Sequence, residues 1–173
     1  MEGSPSGGAA AKRHWGRVLT EGMVTGVLGY AAVAVFFALR NVLLGRSALH
    51  TAAVLGGLLT GTPVDPATPA IEAGPVLAYN AVHLLVFLAV GLLAAALVFA
   101  TERYRELWEL FLLIFVGIFM VSGFTFAVLI GRAAAVVPWW SIVVADALAA
   151  AAMGAYLLYR HPGRPRTIGR ADL

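Results

Sequence analysis

The chain has 173 residues, 61% of them hydrophobic and 12% charged, with a mean hydropathy of +0.87. A soluble domain is about half apolar and about a quarter charged, so this composition excludes a soluble globular surface for a chain of this size. There is no cysteine, which excludes disulfides, thiolate metal sites, iron–sulfur clusters and cysteine nucleophiles; the net charge of +3 is informative mainly through its placement.

Residues 1–17 read as a flexible tail of Gly, Ser, Ala and Pro that ends in the basic cluster Lys12, Arg13, His14 and Arg17. An apolar run over about 18–39 follows, with Glu21 a turn inside its start. It meets the about 20 residues needed to cross the hydrocarbon core. It also exceeds a signal-peptide core of about 7–15 residues, and no small-residue cleavage site follows, so it is expected to be a retained helix. Further spans are expected over about 76–100, 107–130 and 138–159, the last with Pro138 at a helix start, where proline is tolerated.

Residues 47–61 are apolar but too short to span, which predicts an interfacial, re-entrant or buried helix. Arg46, His50 and Gly57 would share one stripe of it, consistent with a helix at the membrane surface, and Gly56–Gly57 should weaken or bend it. Pro63, Pro66 and Pro69 then predict an extended polyproline connector over 62–75. Residues 160–173 form a polar, basic tail. The fold class expected is all-α: an integral membrane protein with four transmembrane helices within 18–159 and a short interfacial or re-entrant helix between the first and second.

Cytoplasmic loops carry the excess of Lys and Arg. With the N-terminus inside, Lys12, Arg13, Arg17, Arg103, Arg105, Arg160, Arg164, Arg166 and Arg170 face the cytoplasm, and Arg40, Arg46 and Arg132 lie outside. This asymmetry places both termini in the cytoplasm. Trp15, Tyr104, Trp108 and Tyr159 would mark the inner boundary and Tyr79, Trp139 and Trp140 the outer one, as amphipathic rings favour that level.

Polar residues inside spans carry the candidate chemistry, because lipid penalises them. Asp146 and His83 sit at similar depth from the outer side, on helices running the same way, and Asn80 shares the face of His83. Ser122 and Thr125 reach a similar level from the third span. Asn80, His83, Ser122, Thr125 and Asp146 therefore make one candidate polar layer. It reads in three ways: as interhelical hydrogen bonds that fix register, as a proton or ion path, or as a ligand set in which His83 or His50 holds haem iron or the magnesium of a bacteriochlorophyll-type pigment. No cofactor is required by the sequence, and no metal motif is present. Glu21 reads as a first-turn carboxylate complementing the helix dipole and pairing with Arg17. Gly22, Gly26 and Gly29 form a small-residue ridge for close helix packing.

No phosphate-binding glycine loop, HExxH or GxSxG motif occurs, and no paired-carboxylate site is evident, so an enzyme is not expected. The basic residues flank spans as topology signals, so nucleic acid is not an expected partner. The stretches GVLGYAAVAVFFALRNVLLGR, LHTAAVLGGLL, AYNAVHLLVFLAVGLLAAALV and PWWSIVVADALAAAAMGAYLLYRHP together resemble a group of small four-helix bacterial membrane proteins with no established activity. That resemblance implies a bacterial inner-membrane location. The functional expectation is an accessory or scaffold subunit of a larger membrane complex of respiratory or photosynthetic type, with the bilayer and other membrane subunits as partners. The alternatives are a small transporter or proton-handling protein using the His/Asp layer, and a pigment- or haem-binding subunit.

Overall fold

A computed structural model describes residues 6–103 and 137–161, and these form four helices and no strand: α1 Ser6–Leu43, α2 His50–Thr60, α3 Ala73–Arg103 and α4 Trp139–Arg160. The span expected over 107–130 lies outside the described residues.

Proline and glycine set the helix limits. No proline occurs between Pro5 and Pro63, so nothing interrupts α1 over its 38 residues. It starts well before residue 18, because the alanines and Lys12 favour helix even where the sequence is too polar for a span. Residues expected in a flexible tail are therefore helical from Ser6 onward. At about 1.5 Å per residue α1 is about 57 Å long, longer than the about 30 Å hydrocarbon core. It stops at Gly45, whose φ of 70° suits a residue without Cβ. There Gly45 N–H donates to the Val42 carbonyl and Arg46 N–H to that of Asn41, a Schellman closure. Gly61, with φ of 71°, closes α2 by a related left-handed turn in which its own N–H and that of Thr62 both donate to the Gly57 carbonyl.

α3 carries Pro75 in its first turn, where the missing N–H has no intrahelical partner to lose. α4 is preceded by Pro138 at φ −60° and ψ 139°, and Pro162 follows its last residues. The connector from α2 to α3 is not a straight polyproline rod. It bends at residues 66–68, where the Asp65 carboxylate accepts from the Ala67 N–H and the Thr68 hydroxyl. That local turn competes with extension.

α1 is the spine. α3 and α4 both pack along it and touch each other only slightly. Both run antiparallel to it: Glu21 meets Arg160 at one end, and Arg40 meets Trp140 at the other. Three apolar clusters follow its length. Val18 lies with Ala95, Phe99 and Leu157 at one end; Val33 lies with Ala145 and Ala149 in the middle; Val54 and Val137, flanked by Phe37, close the other end. The α1–α3 contact is backbone on backbone. A Cβ added to Gly22 would sit 2.7 Å from Leu92 Cα, one on Gly26 2.7 Å from Leu88 Cα, and one on Gly91 against the backbone of Gly22 and Gly26. Gly29 faces Met153 and Phe87.

α2 lies mainly on α3, burying His50, Thr51, Ala53, Val54, Gly56 and Gly57. Arg46 precedes the helix, so it does not extend a surface stripe through His50 and Gly57; those two are inward. Gly56 is where α2 crosses the Pro75 backbone.

α1, α3 and α4 each contain a stretch long and apolar enough to cross a membrane. Only 17% of the apolar window of α3 is buried inside the protein, leaving Leu77, Leu85 and Val86 facing outward. In water such a face would drive association.

The glycine crossing makes a directional prediction. Gly26→Leu forces the α1 and α3 backbones apart and should cost about 1–3 kcal/mol. Gly154, with open space around its Cβ position, should gain about 0.5–1 kcal/mol on substitution by Ala, because glycine weakens a helix interior. Thermal unfolding of both variants in detergent checks the pair, and a Gly26→Leu protein as stable as the parent contradicts the close crossing.

Candidate functional site

Polar side chains gather at three levels along α1. The middle level contains the residues singled out from the sequence. Asn80 of α3 donates from its amide to the Val76 carbonyl one turn back, and its Oδ1 accepts from the Tyr30 hydroxyl of α1 at 2.8 Å. The two bonds fix the amide orientation, since one end must donate and the other accept. His83, one turn further along α3, is embedded in rings. Tyr79 stacks on it at 5.2 Å, Phe87 meets it edge-on at 5.1 Å, and Tyr30 lies tilted at 6.0 Å. Tyr79, His83 and Phe87 recur every four residues, so one stripe of α3 carries all three.

The His83 Nε2 atom is buried with no hydrogen-bond partner. Asp146 of α4 completes the level, within electrostatic reach of Tyr79, as is Tyr30. Asn80, His83 and Asp146 thus converge through Tyr30 and Tyr79, neither of which belonged to the layer expected from the sequence. Tyr79 had been read as a boundary aromatic; its four-residue spacing from His83 was the available signal. Ser122 and Thr125 lie outside the described residues.

The second level is a buried carboxylate. Glu21 is 2% exposed and is not in a first turn, because α1 begins at Ser6. Its Oε2 lies 2.6 Å from Nε2 of His161, and its Oε1 lies 3.6 Å from both Arg17 and Arg160. Arg17 is the helical neighbour four residues back; Arg160 and His161 come from the far end of the chain. Phe99 of α3 joins them, edge-on to His161 at 4.8 Å and under the Arg17 guanidinium at 5.6 Å. Three helices are therefore tied at this end. Burying a carboxylate costs several kcal/mol unless it is paired and hydrogen-bonded, and here both conditions hold. Thr25, also buried, returns its hydroxyl to the Glu21 carbonyl.

The third level lies where α1 turns into α2. Asn41, fully buried, donates to the Ala48 carbonyl and exchanges hydrogen bonds with the Thr51 hydroxyl. That clamp folds His50 back beside the end of α1. His50 is held below the usual histidine range by burial first, then by the charges of Arg46 and Arg40, against a hydrogen bond to the Pro66 carbonyl. Its Nε2 has no partner.

The two histidines named as cofactor ligands occupy different surroundings, His83 among the rings of α1 and α3 and His50 beside the arginines. Each offers an unpartnered ring nitrogen, which an axial ligand requires, but they do not face one another as a pair. Among the described residues no group of three or more His, Asp or Glu side chains is arranged to hold a metal ion. Comparison with known protein families, with curated proteins and with solved structures gives no match.

The Glu21 tie predicts a loss on neutralisation. Glu21→Gln keeps the shape but removes the charge facing His161, Arg17 and Arg160. It should destabilise the protein by about 1.5–3 kcal/mol, the range for a hydrogen bond to a charged group. Thermal unfolding in detergent at pH 7 measures this, and an unchanged midpoint would show that Glu21 does not tie the helices.

Proposed function

We propose that this chain is a bacterial inner-membrane protein with both termini in the cytoplasm, acting as an accessory or scaffold subunit of a larger membrane assembly. The observation that carries the reading is the division of the molecule into a rigid interior and an apolar exterior. Glycine-mediated contact, the Asn80–Tyr30 bond and the Glu21 cluster lock α3 and α4 onto α1. The outward faces of α1, α3 and α4 present Leu39, Val42, Leu77, Leu85, Val143 and Leu148, suited to lipid tails or partner helices.

Three further features support the membrane placement. Each long helix carries a span-length apolar stretch. α3 and α4 run in the same direction, the arrangement that a span over 107–130, as expected from the sequence, calls for. The Glu21 end of the bundle is also the end near the basic residues Arg17 and Arg160, which favours that end as cytoplasmic.

A second reading, a proton-handling protein, is favoured by one observation: the buried, unpartnered Nε2 of His83 beside Tyr30, Tyr79 and Asp146. Ionisable groups at such depth are functional candidates because the bilayer opposes them.

One preparation tests both. Mild-detergent extraction from the native membrane, followed by native electrophoresis and mass spectrometry, should show comigration with other membrane subunits. Migration as an isolated species would reject the scaffold reading. Reconstituted alone in liposomes, the protein should then leave a proton gradient intact. Proton flux that disappears in Asp146→Asn would put the second reading in its place.

A further inference from the structure

The turn between α1 and α2 brings two arginines together, and among the described residues neither makes an ion pair. Arg40 ends α1, Arg46 follows the Gly45 turn, and His50 opens α2. The three lie within electrostatic reach of one another. Among the described residues, every ion pair falls on Glu21 at the opposite end of the bundle; none reaches this group. The Nε of Arg40 and the Nε2 of His50 are buried and have no hydrogen-bond partner, although His50 is only 4% exposed. A buried donor left unsatisfied costs about 1–3 kcal/mol, which falls on the Arg40 Nε–H; His50, whose other ring nitrogen donates to the Pro66 carbonyl, offers Nε2 as a second donor only when it gains a proton, which a bound anion favours.

The surroundings are built rather than incidental. Asn41 and Thr51 fix the turn, and the Arg40 guanidinium rests over Trp140 at 5.6 Å, a cation–π contact that holds its plane. The first turn of α2 has no side-chain cap, because Leu49 at the N-cap offers no acceptor. The His50 N–H is met by the Ser47 carbonyl, and the positive end of the α2 dipole falls in the same place. The helix-dipole role of a cation in the last turn of α1 accounts for Arg40 alone. It leaves unexplained why Arg46 and a buried, uncharged His50 sit beside it.

We propose that Arg40, Arg46, His50 and the start of α2 form a binding site for a phosphate oxyanion. Guanidinium groups match phosphate oxygens in charge and geometry. A bound phosphate would satisfy the Arg40 Nε–H and compensate the charge that now opposes protonation of His50. The phosphate can come from a lipid headgroup or from solution. Trp139 and Trp140 are exposed beside the site, and such rings settle at headgroup level, so the lipid source rests on the membrane placement proposed above while the site itself does not.

The test uses the full chain, delipidated in a neutral maltoside detergent at constant ionic strength. One arm adds sodium phosphate against sodium chloride; the other adds phosphatidylglycerol against a neutral diglyceride in mixed micelles. Thermal unfolding and native mass spectrometry read binding, for the parent and for Arg46→Gln, an exposed change that should leave folding intact. The expected result is a higher unfolding temperature in a phosphate-bearing arm. Apparent affinity should be at least about tenfold weaker in Arg46→Gln, as loss of one charge-assisted hydrogen bond implies. A response to phosphatidylglycerol alone identifies a lipid site, and a response to inorganic phosphate identifies a soluble one. No response in either arm, or a response that Arg46→Gln leaves unaltered, overturns the proposal.

Discussion

The structure depends on the contact of two backbones. Gly22 and Gly26 on α1 and Gly91 on α3 leave no room for a Cβ, so the helices approach to a distance that larger residues forbid. In a bilayer there is little hydrophobic force to press apolar helices together, and close van der Waals packing supplies the association instead. Once α3 is set against α1 at this crossing, the register of everything else follows. Asn80 comes to Tyr30, Phe99 comes to Arg17, and Pro75 comes beneath α2.

Polar groups then occupy the three levels that this register creates, and they differ in how far their demands are met. The Glu21 end is balanced: one buried carboxylate faces three nitrogen-bearing partners. The middle is partly balanced, with Asn80 satisfied and His83 left with a free ring nitrogen. The Arg40 end is unbalanced: among the described residues its arginines make no ion pair, although Asp65 and Glu72 lie on the connector that leads to α3. Satisfied networks specify a fold, whereas unsatisfied ones in an otherwise well-packed protein mark places where something else completes the set. Along α1 the balance of polar groups therefore falls from the Glu21 end, through the His83 level, to the Arg40 end.

Much of the helical architecture was legible from periodicity and punctuation. Pro138 announces α4, the apolar runs announce α1 and α3, and the short run near His50 announces a helix too brief to span. The extension of α1 to Ser6 was hidden because hydropathy reports where a helix meets lipid, not where it starts. The bend at Asp65 was hidden because the proline spacing favours extension, while the turn rests on a single carboxylate that accepts from Ala67 and Thr68. In the candidate site, Asn80, His83 and Asp146 stood out as polar residues in apolar runs. Tyr30 and Tyr79 did not: tyrosine is unremarkable at a membrane boundary, where Tyr79 is expected, Tyr30 lies within an apolar run, and only the crossing brings the two together around His83. The Glu21 partners Arg160 and His161 lie about 140 residues away, a pairing that no local pattern encodes, and nothing in the sequence pairs Arg40 with Arg46 beyond their being charges of the minority side.

The proposed topology has α1 crossing the membrane with its Glu21 end inside and its Arg40 end outside. The chain has no cysteine, so single cysteines can be introduced without background at Gly16 and Ser47, both exposed and at opposite ends of the spanning stretch. Labelling of intact cells with a membrane-impermeant maleimide, before and after permeabilisation, measures the side each occupies. The account predicts that Ser47→Cys reacts in intact cells and Gly16→Cys only after permeabilisation. Reaction of both positions from the same side would contradict it.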